Sequence, residues 1–250
     1  MASLVATRTQ HAVRILAILR ACGEQAAGND PHGAVQAIRS ELRLQALDFW
    51  LRNPDYLADE ILTLVETGRL GETYLQVSAS LLTDTEPALH RYPMPKWFYG
   101  AYEAVDDAVA LLEAYGLALT RRRGTPPKRL QSQFFLTELG AEAADEMART
   151  EVLDWYGRQA GLVHLVAGDD PGSRLKERQY AQDTYAGAVR GDEISSVTDR
   201  VRRRLAAGVA VSQAENGRPT RDSRGSGGQT IGTAGLQMEL WQPSGTGQQP

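Results

Sequence analysis

Apolar residues recur at helical spacing along most of the chain. Val13 to Leu19 forms the first apolar run and predicts a short amphipathic helix over His11–Glu24. After the turn residues Gly28-Asn29-Asp30-Pro31, the positions Val35, Ile38, Leu42 and Phe49 fall near one face. Leu44, Leu47 and Leu51 widen that face, so the spacing predicts a long, mostly buried helix from about Gly33 to Arg52. Asn53-Pro54-Asp55 has the form of an N-cap followed by proline at the first helical position. The helix it opens carries Leu57, Ile61, Leu64 and Val65 as a stripe and stops at Gly68; a further helix is expected over Glu72 to Leu82. Pro87, Pro93 and Pro95 then impose an extended, irregular segment before Trp97-Phe98-Tyr99.

The pattern changes between Tyr102 and Met147. Val105, Val109 and Leu112 make a helical stripe, and Gly116 follows where a left-handed C-cap is expected. Leu117 to Arg123 reads as a strand, Gly124-Thr125-Pro126-Pro127 as a turn, and Gln131 to Leu136 as the returning strand. Thr137 is a natural N-cap for the next helix, with Glu138 beside it to meet the helix dipole.

Helix, Gly-Leu, basic hairpin and aromatic-x-Leu-Thr-x-x-Gly in this order resemble the last third of a winged helix-turn-helix domain, as in MarR-like and PadR-like regulators. The resemblance covers about a fifth of the chain. It implies a mainly α fold with one β-hairpin wing and helical N- and C-terminal extensions. The expected division is an N-terminal helix and loop at 1–32, a winged-helix domain at 33–150, a helical extension at 151–208 and a disordered tail at 209–250. It also implies a DNA-associated regulator whose wing residues Arg121, Arg122, Arg123, Lys128 and Arg129 touch phosphate, an electrostatic contact that carries no base information. No acid lies between Glu113 and Glu138, so the wing is basic along the sequence. In the family, the helix before the wing enters the major groove with its N-terminal residues. Here the matching positions are Glu103, Asp106 and Asp107, and that helix has no lysine or arginine. This departure leaves either wing-dominated contact with DNA or a winged helix used for protein contact.

A second segment, Leu44-Gln45-Ala46-Leu47-Asp48-Phe49-Trp50-Leu51-Arg52-Asn53-Pro54, is similar to the opening of the small middle components of bacterial ABC three-component defence systems. That resemblance implies a non-enzymatic adaptor between an effector and an ATPase.

Beyond the wing, Val152, Tyr156, Ala160 and Val163 have helical spacing, and Asp169-Asp170-Pro171-Gly172 is a strong break. Ser173 to Arg190 is polar and expected to be helical, with Tyr180 and Tyr185 as its larger side chains. Ile194, Val197, Val201 and Leu205 then line up opposite Arg200, Arg202, Arg203 and Arg204. Such a stripe is expected to form a partner or homodimer interface, unless it folds back onto Val152, Tyr156 and Val163 of its own chain. From Val209 onward Gly, Ser, Gln, Thr and Pro dominate, too little apolar surface for the segment to order itself. Leu236 to Trp241 is an apolar island within it.

Net charge is −4 over 250 residues, so contact with nucleic acid has to come from a local patch. All but three of the 27 basic side chains are arginines, the lysines being Lys96, Lys128 and Lys176. The single cysteine, Cys22, excludes an internal disulfide, fits a reducing, cytoplasmic setting, and is expected to be a small buried hydrophobe. No run approaches the roughly 20 apolar residues of a membrane span. Arg14 at the start of the first apolar run argues against a signal peptide. Neither G-x-x-x-x-G-K-[ST] nor G-x-G-x-x-G occurs, and His11, His32, His90 and His164 lack metal-site spacing. Asp106-Asp107 are adjacent on a helix and point about 100° apart; Asp169-Asp170 precede a proline, as turn residues do. These patterns favour no enzyme, no cofactor and no metal, with double-stranded DNA or a protein as partner and no membrane.

Overall fold

A computed structural model describes residues 7–84, 94–124 and 131–216. The chain is mainly helical with a small antiparallel sheet. Thr7 caps α1 (Arg8–Cys22) by accepting from the Gln10 amide at 3.2 Å. Ile15, Leu16, Ile18 and Leu19 are buried, and so are His11 and Arg14 on its polar side. α1 is therefore a central helix and not a surface one, which the arginines in its sequence concealed.

The long helix expected over 33–52 is instead a strand and a shorter helix. β1 (Glu24–Gln25) and β2 (Ala34–Ile38) pair antiparallel, and α2 (Glu41–Arg52) begins only after Ser40. Val35 and Ile38 suit either periodicity over so short a run. The decision comes from distant residues, because β2 pairs with a strand about a hundred positions away. α2 then supplies the densest part of the core: Leu44, Leu47, Phe49, Trp50 and Leu51 are all buried.

α3 (Pro54–Glu66) starts on its proline as expected, and Gly68 at φ +70° ends that turn. α4 (Thr73–Ser80) follows, then a two-residue pair of strands, β3 (Lys96–Trp97) and β4 (Gly100–Ala101). α5 (Asp106–Ala114) ends before Gly116 at φ +69°. β5 (Ala118–Arg123) and β6 (Gln131–Thr137) form the anticipated hairpin, in register from Ala118 opposite Leu136 to Arg123 opposite Gln131. Sheet order is β1-β2-β6-β5, so the hairpin is one half of a four-stranded sheet and not a free-standing wing.

Thr137 caps α6 (Glu138–Arg149), accepting from the Gly140 amide at 3.0 Å. α7 (Asp154–Ala167) begins after the expected Glu151, which leaves Val152 exposed and off its apolar stripe. α8 (Gly172–Tyr180), α9 (Asp183–Gly187) and α10 (Thr198–Asn216) complete the chain. α1 packs on α2, α5 and α7 and against β2 and β6, while α2 also meets α7 and α8. One hydrophobic cluster runs from Ala12 to Val201.

The stripe expected to await a partner is covered by its own chain. Ile194, Val197 and Val201 are buried and Leu205 partly so, because α10 lies on α3 and α4. Polar contacts fix this docking. Tyr56 Oη donates to the Ser195 carbonyl at 2.8 Å, and Asp55 Oδ2 accepts from Ser196 Oγ at 2.6 Å and the Val197 amide at 2.8 Å. Arg204 bridges Asp59 at 2.5 Å and Glu66 at 2.8 Å, and Arg200 reaches Asp59 at 3.2 Å. The helix does fold back, but onto α3 and not onto Tyr156 and Val163. No helix among the described residues is long and apolar enough to cross a membrane. Residues 209–216, expected to begin the disordered tail, are instead the end of α10, while Pro87, Pro93, Lys128, Arg129 and the rest of the tail with Leu236–Trp241 lie outside the described residues.

Candidate functional surfaces

Pairing β2 beside the hairpin changes the electrostatics of the basic strand. Arg121 is directed across the sheet, its guanidinium 5.0 Å over the Phe135 ring. It donates to Asp30 Oδ1 at 2.8 Å, the Asn29 carbonyl at 3.0 Å and Gln133 Oε1 at 3.1 Å. The same Asp30 carboxylate, nearly inaccessible, accepts from Arg39 Nη1 at 2.6 Å and from the Ala27 amide at 2.8 Å. Arg39 above all, helped by the Ala27 amide and Arg121, holds the Asp30 carboxyl well below the usual carboxylate range. Arg121 is thus committed within the chain.

Arg122, 70% exposed, is 3.9 Å from an equally open Asp106, and Arg123 is exposed. Glu113 closes the other side, accepting from the Thr120 amide at 2.8 Å and its hydroxyl at 2.7 Å. Along the sequence the hairpin is free of acids; in space Asp30, Asp106 and Glu113 all reach it. Asp30 gave no local signal beyond a turn before Pro31. The N-terminus of α5 presents Asp106 and Asp107 outward while Val105, Ala108, Val109 and Leu112 point inward. Acids stabilise a helix N-terminus and exclude a phosphate from it.

The polar interior is a second cluster that the sequence did not disclose. His11 Nε2 lies 3.7 Å from Asp48 Oδ2, its Nδ1 lies 3.9 Å from Glu103 Oε1, and Arg52 pairs with both acids. Gln45 clamps the Glu103 backbone, donating to its carbonyl at 2.6 Å and accepting from its amide at 3.1 Å. Burial alone would push the Asp48 carboxyl up. The cationic groups around it, His11 at 3.7 Å with Arg52 and Arg14, outweigh that and hold the group at about 2.

Nearby, Lys176 Nζ donates to the Ala101 carbonyl at 3.1 Å and approaches Tyr185 Oη at 3.4 Å. Burial lowers Lys176 to about 7, with the Asp48 charge opposing and Lys96 reinforcing the fall. Gly100, at φ +106°, is required here because a Cβ would run into Tyr185 Oη and crowd Lys176 Nζ. These groups tie α2, α8 and α9 to the β3–β4 turn.

Cys22 is buried 3.7 Å from the Ala160 carbonyl, and burial pushes its thiol up to about 12, as befits a packing residue. His164, on α7, is exposed. No group of three or more His, Cys, Asp and Glu among the described residues is placed to hold a metal. A shallow cavity of about 340 Å³ between α3 and α7 is floored by Leu64, Leu70 and Leu165; at its edge Asp170 is paired with Arg178 at 3.1 Å.

At the β3–β4 turn, Trp97, Phe98 and Tyr99 project outward together with Arg190. In the sequence the three aromatics only follow a proline-rich segment, with no periodicity that marks them as a surface. Comparison of the chain with protein families, with curated proteins and with solved structures finds no match.

Proposed function

We propose that this chain is a non-enzymatic adaptor built on a winged helix-turn-helix architecture, working through protein contacts in a reducing, cytoplasmic setting. Two features support the architecture. The order α1, β2, α2, and later α5 followed by the β5–β6 hairpin follows that of the winged helix, with β2 laid beside the return strand and α3 and α4 intervening. The segment Leu44–Pro54, similar to middle components of three-component defence systems, forms the buried heart of the domain. The observation that carries the choice of partner is the acidic ring around the hairpin. Arg121 is spent on Asp30, and Asp106 and Asp107 front the helix that would enter a DNA groove.

A second reading, a DNA-associated regulator and possible homodimer, draws its support from Arg122 and Arg123. They stay open on the hairpin, and Lys128 and Arg129 follow them in the sequence. Fluorescence anisotropy with a random-sequence duplex separates the readings. Non-specific binders fall at roughly 10⁻⁴–10⁻⁶ M with a steep salt slope. The adaptor reading expects no saturation at about 100 µM protein. Micromolar binding that collapses on replacing Arg122, Arg123, Lys128 and Arg129 by alanine would establish the regulator instead.

A further inference from the structure

We propose that the β3–β4 tip is a preformed docking knob that inserts into an apolar pocket of a different protein, with a carboxylate on the pocket rim to meet Arg190. This assigns a surface to the adaptor reading and rests on it. Trp97, Phe98 and Tyr99 are 47, 62 and 66% exposed on consecutive positions, with exposed Val189 alongside. Arg190 lies 4.2 Å over the Phe98 ring and 5.7 Å from that of Trp97, which themselves meet edge to face at 5.5 Å. Among the described residues Arg190 has no carboxylate partner.

The stem beneath the tip is fixed at every level. Lys96 exchanges backbone hydrogen bonds with Gly191 at 2.8 Å and Asp192 at 2.9 Å, and Met94 accepts from the Ile194 amide at 3.3 Å. The Lys96 ammonium, itself buried, donates to the Tyr185 and Ala186 carbonyls at 2.6 and 2.9 Å, and the Ala101 amide donates to Tyr185 Oη at 2.7 Å. A rigid stem carrying Trp, Tyr and Arg outward has the composition of an interaction hot spot and loses little entropy on docking.

Area and charge select the occupant. Aromatic side chains bury ~150–250 Å² each, so the exposed part of the tip offers on the order of 300–400 Å². A specific interface takes ~1,000 Å² in total, and two tips packed together would set one Arg190 against the other with no carboxylate to meet them, so a second copy docking tip to tip is disfavoured. A convex knob reaches that area only by entering a pocket that also covers Val189 and Arg190. A phosphate-rich surface is disfavoured, because the tip has one cation and Asp192 and Glu193 sit just down the stem.

The test replaces Phe98 with the photo-crosslinker p-benzoylphenylalanine in the full chain inside its native cells. The same probe at exposed Tyr115 serves as the comparison site. Crosslinked peptides are mapped by mass spectrometry, and the purified partner is titrated against wild type, the triple variant W97A/F98A/Y99A and R190E. Because the three aromatics are exposed, the triple variant keeps its unfolding temperature. The expected result is a crosslink from position 98 to one protein, in an apolar segment beside Asp or Glu, and about 30-fold or greater weakening in the triple variant. R190E weakens the same complex.

The knob is overturned if that partner binds the triple variant as tightly as wild type. It is also overturned if position 98 captures only a second copy. Binding confined to phosphatidylcholine–phosphatidylglycerol vesicles or to a 20-nucleotide oligo-dT, lost in the triple variant, overturns it as well. A protein captured from position 115 but not from 98 removes the knob and leaves the adaptor standing. Capture of no protein at either site, together with micromolar duplex binding, removes both.

Discussion

Lys176 is the residue whose placement has the clearest thermodynamic consequence. Its folded value of about 7 lies below the ordinary 10.5, so between those values the unfolded chain binds more protons than the folded one. The free energy of unfolding therefore rises with pH in that window, and below about pH 7 the protein bears the full cost of a buried cation. Urea melts at pH 7, 8 and 9, below tyrosine ionisation, should show stability increasing. Lys176→Met should flatten that slope and leave the protein more stable at pH 7 than wild type. Asp48 behaves in the opposite sense. Its folded value of about 2 against an ordinary 3.8 gives a contribution that is full above pH 4 and lost as pH falls toward 2. Asp48→Asn leaves Arg52 and its neighbours with one buried acid fewer, and should cost about 3–5 kcal/mol in denaturant unfolding at pH 7. A loss under 1 kcal/mol would mean the cluster is wetter than its burial indicates. Neither residue announced itself in the sequence. Lys176 sits in a polar helix and Asp48 in an apolar one, and only tertiary packing makes both of them interior.

Among the elements, those with local chemistry were legible and those set by distant partners were not. Pro54 opening α3, Gly116 closing α5 and Thr137 capping α6 are all decided within a few residues, and each appears where the sequence places it. The hairpin strands are in the expected place, paired from Ala118 opposite Leu136 to Arg123 opposite Gln131. β2 was missed because five residues with two β-branched side chains satisfy either period, and β6 is the arbiter. The same pairing brings Asp30 to Arg121, so the neutralisation of the basic hairpin is invisible without that strand. Gly140 marks the tightest junction among these elements, since a Cβ there would collide with the Leu117 carbonyl where the hairpin meets α6. Gly140→Ala should therefore destabilise by about 1–3 kcal/mol despite its higher helix propensity, measured by equilibrium denaturation. A stabilised variant would mean that the junction yields freely.

At the scale of the whole molecule, the fold draws on helices from both ends. α1 lies at the centre and α10 shields α3, so the segments expected as N- and C-terminal extensions both supply core. Truncation before Ile194 should accordingly lower the unfolding temperature by uncovering Tyr56 and the α3 carboxylates, without converting a dimer to a monomer in light scattering. A stable truncated chain with half the mass in solution would return the stripe to the role of an interface. If acids silence the hairpin face toward DNA, as the adaptor proposal holds, Asp30 is the lever on it. The most direct measurement is anisotropy of a random 20-base-pair duplex at 50 mM salt with wild type and Asp30→Ala side by side. Wild type is expected not to saturate at about 100 µM, and Asp30→Ala to show measurable, salt-sensitive binding once Arg121 is released. Micromolar, saturable binding by wild type, unchanged in Asp30→Ala, would contradict the adaptor proposal.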